Sequence, residues 1–136
     1  MNIRDIEDKI IEKLKEEIPE LLVRGFPDKR SEFLLLHPIG AILIRYQGGN
    51  YSKSQSLGYV NQTKTAEFSI TIVTRNLRSN AGAYELLDSV RAILTGYRID
   101  GCSQLTPVKE NFISENKGIW QYAINFSLTL PCIQIY

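Results

Sequence analysis

The sequence predicts an α+β fold, a mainly antiparallel sheet with two helices packed on one face. Three patterns point to it. Phe68, Ile70 and Ile72 alternate with Ser69 and Thr71, the period of a strand buried on one face. Ala83, Leu86, Leu87, Val90, Ile93 and Leu94 then recur at three- and four-residue spacing, which places them on one stripe of a helix. Near the end, Trp120, Tyr122, Ile124, Phe126, Leu128 and Leu130 alternate with Gln121, Ala123, Asn125, Ser127 and Thr129. One side of that last strand belongs to a core. The other is polar and uncharged, suited to solvent or to another chain. Runs of strands with helices on one face make an α+β domain.

In chain order, Asn2 is placed to cap a first helix, and Asp5 favours its positive end. Ile3, Ile6, Ile10, Leu14 and Ile18 form the apolar stripe of this helix, and Pro19 ends it. Its opposite face carries Glu7, Asp8, Glu12, Lys13, Lys15 and Glu16, a mixed-charge face read as solvated. Leu21-Leu22-Val23 reads as a short strand running into a turn at Gly25-Phe26-Pro27-Asp28. Phe33-Leu34-Leu35-Leu36 is a second apolar run, stopped by His37-Pro38-Ile39-Gly40. Ala41 to Tyr46 is almost wholly apolar, as expected of a central strand covered on both faces.

From Gln47 to Thr63 the chain turns polar, with Gly48-Gly49, Gly58 and several Ser and Asn, and it reads as a long loop. Tyr51, Leu57, Tyr59 and Val60 are apolar groups that a merely solvating loop does not need. Either this loop folds back on its own domain or it docks on a neighbour. Ser79 or Asn80 is expected to cap the second helix, with Gly96 in the left-handed position after its end. Tyr97 to Pro107 is a connection with a short extended piece around Arg98-Ile99. Val108 to Glu115 and Ile119 to Leu130 then form a hairpin closed by Asn116-Lys117-Gly118.

A chain of 136 residues is expected to form one domain over residues 1–136. Its formal charge of +1 leaves no overall field to hold nucleic acid or an anionic membrane non-specifically. The opening MNIRDIEDKIIEKLKEE is too charged for a signal peptide, and no segment approaches the length of a membrane helix. Cys102 and Cys132 are far apart and form no CxxC pair. The simplest reading is a reduced, intracellular chain, with one disulfide as the alternative.

The catalytic inventory is thin. His37 is the only histidine and precedes Pro38, which suits a structural turn better than a general base. One histidine and two distant cysteines do not make a zinc site of the usual kind, and nothing activates either thiol. Glu16 and Glu17 are adjacent on a helix and point apart. Nucleotide, P-loop and hydrolase glycine motifs are missing, and no helix follows Gly48-Gly49-Asn50 to make a phosphate cradle. The expectation is a protein that is no enzyme, with no catalytic, cofactor-binding or metal residues.

Arg75 and Arg78 stand before the second helix, where its dipole disfavours cations. They either pair with Glu85 or Asp88 or face acidic groups on a partner. Arg91 is read as pairing with Asp88 one turn back. Tyr46, Tyr51 and Tyr59 with Arg45 and Lys53 have the composition of a stacking surface for single-stranded nucleic acid, but neither their spacing nor the net charge supports one.

Three strings in this order, HPIGAILIRYQGGNY, FSITIVTRNLRSNAGAYELLDSVRAILTGYRIDGC and IWQYAINFSL, resemble small minor tail proteins of bacteriophages and prophages, the lambda-type tail-terminator family. The likeness runs from about Phe26 to Phe126. R-x-L-R followed by G-A-Y-x-L-L-D is distinctive as a string, and no residue in it is a chemical signature. The resemblance implies a structural protein of the virion tail, assembled in the cytoplasm of the bacterial host. Such proteins form a homo-hexameric ring on the finished tail tube, end its growth and present a surface to the head or neck. The implied partners are other copies of the chain, the tail tube protein and a head or neck completion protein. DNA only passes through the lumen, and no membrane is involved. A closed ring needs two different patches on each subunit. The sequence offers Tyr51, Leu57, Tyr59 and Val60 for one and Arg75, Arg78 and Tyr84 for the other. The rival readings are a neck or head–tail completion protein of the same fold, a small α+β module binding a ligand or nucleic acid, and, last, an enzyme using His37 or a cysteine.

Overall fold

The computed structural model describes residues 2–28, 39–54 and 57–135. The apolar run at 33–36 and the histidine at position 37 fall outside these. Helix α1 spans Ile3–Glu17 and opens with a reciprocal cap. The Asp5 N–H donates to the Asn2 side chain at 2.8 Å, and the Asn2 N–H donates back to the Asp5 carboxylate at 3.3 Å. Ile6, Ile10, Leu14 and Ile18 are buried, while Ile3 remains 37% exposed. The outer face carries the ion pairs Lys9–Glu12 and Lys13–Glu17, as its mixed charge predicted.

Strands β1 (Leu22–Gly25), β2 (Gly40–Tyr51) and β3 (Tyr59–Thr74) precede helix α2 (Ala83–Leu94), and β4 (Thr106–Asn116) and β5 (Ile119–Ile135) follow it. They form one sheet in the order β1-β2-β3-β5-β4. Among the described residues only the short β1 pairs in parallel; the other neighbours are antiparallel, as predicted. Both helices lie on the same face. Ile6, Ile10 and Leu14 of α1 and Leu86, Val90 and Leu94 of α2 join Ile44, Phe68, Ile70, Ile124 and Phe126 of the sheet in one core. The β4–β5 hairpin closes through Lys117 (φ 54°) and Gly118 (φ 82°), two left-handed residues that match the twist of the strands.

Two expectations are overturned and a third is narrowed. First, 47–63 is not one long loop: among its described residues only 52–54 and 57–58 lie outside strands. β2 passes a bulge at Gln47 and continues through Tyr51, with Gly49 opposite Ala66 and Tyr51 opposite Lys64. β3 begins at Tyr59 and pairs with β5 over its whole length. The glycine at 49 serves close approach, since a Cβ there would lie 2.6 Å from the Tyr46 hydroxyl and 3.0 Å from Lys64 Cε. Ladder pairing on both sides of β3 overrides the weak strand preference of Gly, Ser and Asn.

Second, neither Ser79 nor Asn80 caps α2. The N-cap is Gly82, which has no side chain to offer, and backbone carbonyls serve instead. The Ala83 N–H donates to the Asn76 carbonyl at 3.0 Å and the Tyr84 N–H to the Leu77 carbonyl at 3.1 Å. The 75–81 turn therefore folds onto the helix start, with Ala81 left-handed at φ 60°. The Thr74 hydroxyl, fully buried, reaches the Ala81 carbonyl at 3.0 Å and holds the turn to the end of β3.

Third, the face away from the helices is not simply a solvated one. Ser69, Thr71, Ala123 and Asn125 are all buried there, and Ala41, Leu43 and Val73 form a small apolar cluster with Phe26 and Ile119. β3 is thus covered on both sides along its inner half.

Candidate assembly surfaces

The 16 residues of β3 separate two surfaces by roughly 50 Å at about 3.3 Å per residue. At one end, the β2–β3 hairpin, with β5 still paired to β3, runs on beyond Ala66 as an arm. Its base is stiffened by a stack in which Lys64 Nζ lies 5.1 Å from the Tyr46 ring centre and 5.6 Å from that of Tyr51. Burial alone would lower the pKa of Lys64, but hydrogen bonds to the two tyrosines and their charge leave it raised on balance. Serine side chains carry the ladder past the end of β2. The Thr63 N–H donates to the Ser52 hydroxyl at 2.8 Å and the Asn61 N–H to the Ser54 hydroxyl at 3.2 Å.

Tyr51, Leu57, Tyr59 and Val60 all lie along the arm, but not on one face. By register Tyr51 shares the helix-side face with Lys64 and Ala66, and Tyr59 projects from the opposite face. Leu57 at the tip is 98% exposed, Tyr51 and Tyr59 are exposed, and Val60 is half-buried. A leucine left wholly in water forgoes about 1.5–3 kcal/mol that burial would return.

At the other end, the turn after β3 presents Arg75, Arg78 and Tyr84, all exposed. Arg78 does not take Glu85 or Asp88 as its partner in the way sequence allowed. Its guanidinium lies 5.6 Å from the centre of the Tyr84 ring, a cation–π contact worth about 0.5–1 kcal/mol at an exposed site. Asp88 is taken by Arg91 at 3.5 Å, as the one-turn spacing predicted.

Tyr84 is the near end of an aromatic row that sequence reasoning missed. Its ring meets Tyr122 edge-on at 6.3 Å, Tyr122 meets Phe112 at 5.4 Å, and Phe112 meets Trp120 at 6.2 Å. Tyr84, Tyr122 and Phe112 of this row line an open groove of about 500 Å³ between α2 and the edge strand β4, with Leu87, Asp88 and Glu110 beside them. The two helices cover the middle of the sheet and stop short of β4. Phe112 is therefore 52% exposed and Tyr84 44%. The signal available in sequence was a lone phenylalanine in KENFISEN, on a strand otherwise rich in charge. What linked it to Tyr84 was the register that sets Phe112 opposite Tyr122.

On the open face, Arg45, Gln47 and Lys109 surround a polar hollow of about 210 Å³ floored by Ser69, Thr71 and Asn125. The Asn125 amide donates to the Glu67 carboxylate at 2.8 Å. Cys102 and Cys132 are free thiols, and burial pushes the Cys102 pKa up, away from reactive thiolate. Among the described residues no group of His, Cys, Asp and Glu is arranged to hold a metal ion, and no helix is long and apolar enough to cross a membrane.

No curated protein matches the chain. Residues 10–135 match the family model described as Gp37 protein, a phage-associated family. With nearly the whole chain matched, from α1 through β5, this is a phage protein of the Gp37 family.

Proposed function

We propose that this phage protein is a structural component of the tail that closes into a homo-hexameric ring on the tail tube. The ring ends polymerisation of the tube and presents a surface on which the head or neck is joined. One observation carries the reading: two unlike exposed surfaces sit at opposite ends of the central strand β3. Cyclic assemblies of more than two members join by unlike patches, head to tail, and a chain with both patches far apart can meet two neighbours at once. The family match supports a phage setting, and the near-neutral charge suits a subunit that contacts proteins rather than gripping DNA.

The test is a tube-length assay. The tail tube protein is polymerised with and without the full chain, and tube lengths are read by negative-stain microscopy. Capping predicts short tubes with a ring of extra density at one end. Tubes of unchanged length with bare ends would refute it.

A further inference from the structure

We propose that the polar hollow on the open face of the sheet is a binding site for a phosphate dianion, free or at the end of a small ester. The proposal goes beyond the ring reading and does not depend on it.

Strand register builds the site. Arg45 of β2 pairs with Ser69 of β3, Ser69 with Asn125 of β5, and Asn125 with Lys109 of β4. One row of residues thus crosses four strands on a single face, with a cation at each end and two short polar side chains between. Three strand spacings of about 4.8 Å set the end Cα atoms roughly 14 Å apart. Long side chains so placed can close from both sides over a group resting on the short ones. All four residues line the same hollow of about 210 Å³, and Thr71 in the next row adds a second hydroxyl to its floor.

That floor is polar where folding alone has no need of polar groups. Ser69 and Thr71 are each 3% exposed and Asn125 is 5% exposed. Ala41, Leu43 and Val73 form an apolar cluster on the same face, so aliphatic side chains are accommodated there. Polar side chains buried this far normally have partners. Asn125 has one, the Glu67 carboxylate at 2.8 Å. Among the described residues, the side chains of Ser69, Thr71, Arg45 and Lys109 make no hydrogen bond or ion pair.

Charge selects the ligand class. The described residues lining the hollow include two cations and no carboxylate. Glu67 stands beside it, engaged by Asn125, and Arg24, opposite Leu43 on the same face, offsets its charge. A phosphate monoester carries about −1.5 to −2 at neutral pH, with three strong acceptor oxygens, and so matches two cations above two free hydroxyls. A carboxylate or a nucleic-acid phosphodiester offers one charge and leaves a cation unmatched. Arginine supplies a planar fork and lysine a point charge, and both serve as phosphate binders.

Equilibrium dialysis of the full chain against inorganic phosphate, at fixed ionic strength, tests the site. Saturable binding of one phosphate per chain is expected. Arg45 and Lys109 are exposed, so Arg45→Gln and Lys109→Gln leave the core alone, and each should weaken binding roughly tenfold to a hundredfold. Thr71→Val keeps the shape of the floor, removes one hydroxyl and should weaken binding as well. Displacement by phenyl phosphate separates the two sources: tighter binding than inorganic phosphate indicates an ester, weaker binding the free ion. If neither phosphate binds saturably, the proposal is wrong. Binding that Arg45→Gln and Lys109→Gln both leave unchanged would place the ion elsewhere and overturn it too. Acetate, or an oligothymidylate without terminal phosphates, displacing phosphate at equal concentration would refute the match to a dianion.

Discussion

At the scale of single residues, stability is concentrated where the chain approaches itself closely. A Cβ on Gly82 would lie 2.7 Å from the carbonyl oxygens of Leu77 and Ser79. Gly82→Ala must push the 75–81 turn off the helix start. It is expected to cost about 1–3 kcal/mol in urea unfolding, the range for overpacking a tight site. Asn2→Ala removes half of the reciprocal cap on α1 and is expected to cost about 1 kcal/mol. Glu7 gives a pH signature. Burial raises its pKa above the ordinary 4.5, Asp8 adds to the rise, and Arg4 opposes it. The folded chain then holds the Glu7 proton more tightly than the unfolded chain does. The stability this contributes is fully present below pH 4.5 and is lost as pH rises through the folded pKa. Glu7→Gln should melt higher than the parent at pH 7 and show a flatter melting curve against pH just above 4.5. Parallel curves for the two proteins would contradict the assignment.

At the scale of elements, the arm and the core should respond in opposite ways. Leu57 is 98% exposed, so Leu57→Asp should change unfolding free energy by no more than about 0.5 kcal/mol. Phe126 is fully buried in the core, and Phe126→Ala should cost about 3–5 kcal/mol. The same division explains what could be read from sequence. Periodicity marked both helices, the inner half of β3, β5 and the β4–β5 turn, because burial on one face imposes a local repeat. It did not mark the arm. Gly48, Gly49 and Asn61 have weak strand preference; pairing with Glu67 and Ala66 extends the two glycines, and pairing with Ile133, some seventy residues away, extends Asn61. The cap of α2 was misplaced for a similar reason: the groups that satisfy Ala83 and Tyr84 are carbonyls of a folded-back turn, which leave no mark in residue type. The groove joins Tyr122 of the β5 alternation to Tyr84 and Phe112, which follow neither period. It exists because α2 ends its coverage short of β4 while the register sets Phe112 against Tyr122.

At the scale of the whole molecule, a small sheet with one helical layer exposes apolar side chains at two separate places. The arm carries apolar groups out into water, and the far margin of the sheet holds an aromatic groove where Arg78 covers the Tyr84 ring and Arg91 pairs with Asp88. Leu87 and Tyr122 tie the groove to the core, while Leu57, Tyr59 and Phe112 stay exposed. For a phage protein of this family, the proposed use of both is assembly into a ring on the tail. The most direct measurement is the native mass of the full chain by light scattering across a wide concentration range. The account predicts a particle of six times 15.5 kDa, about 93 kDa, as a closed cyclic assembly. A single chain of 15.5 kDa at every concentration would contradict it.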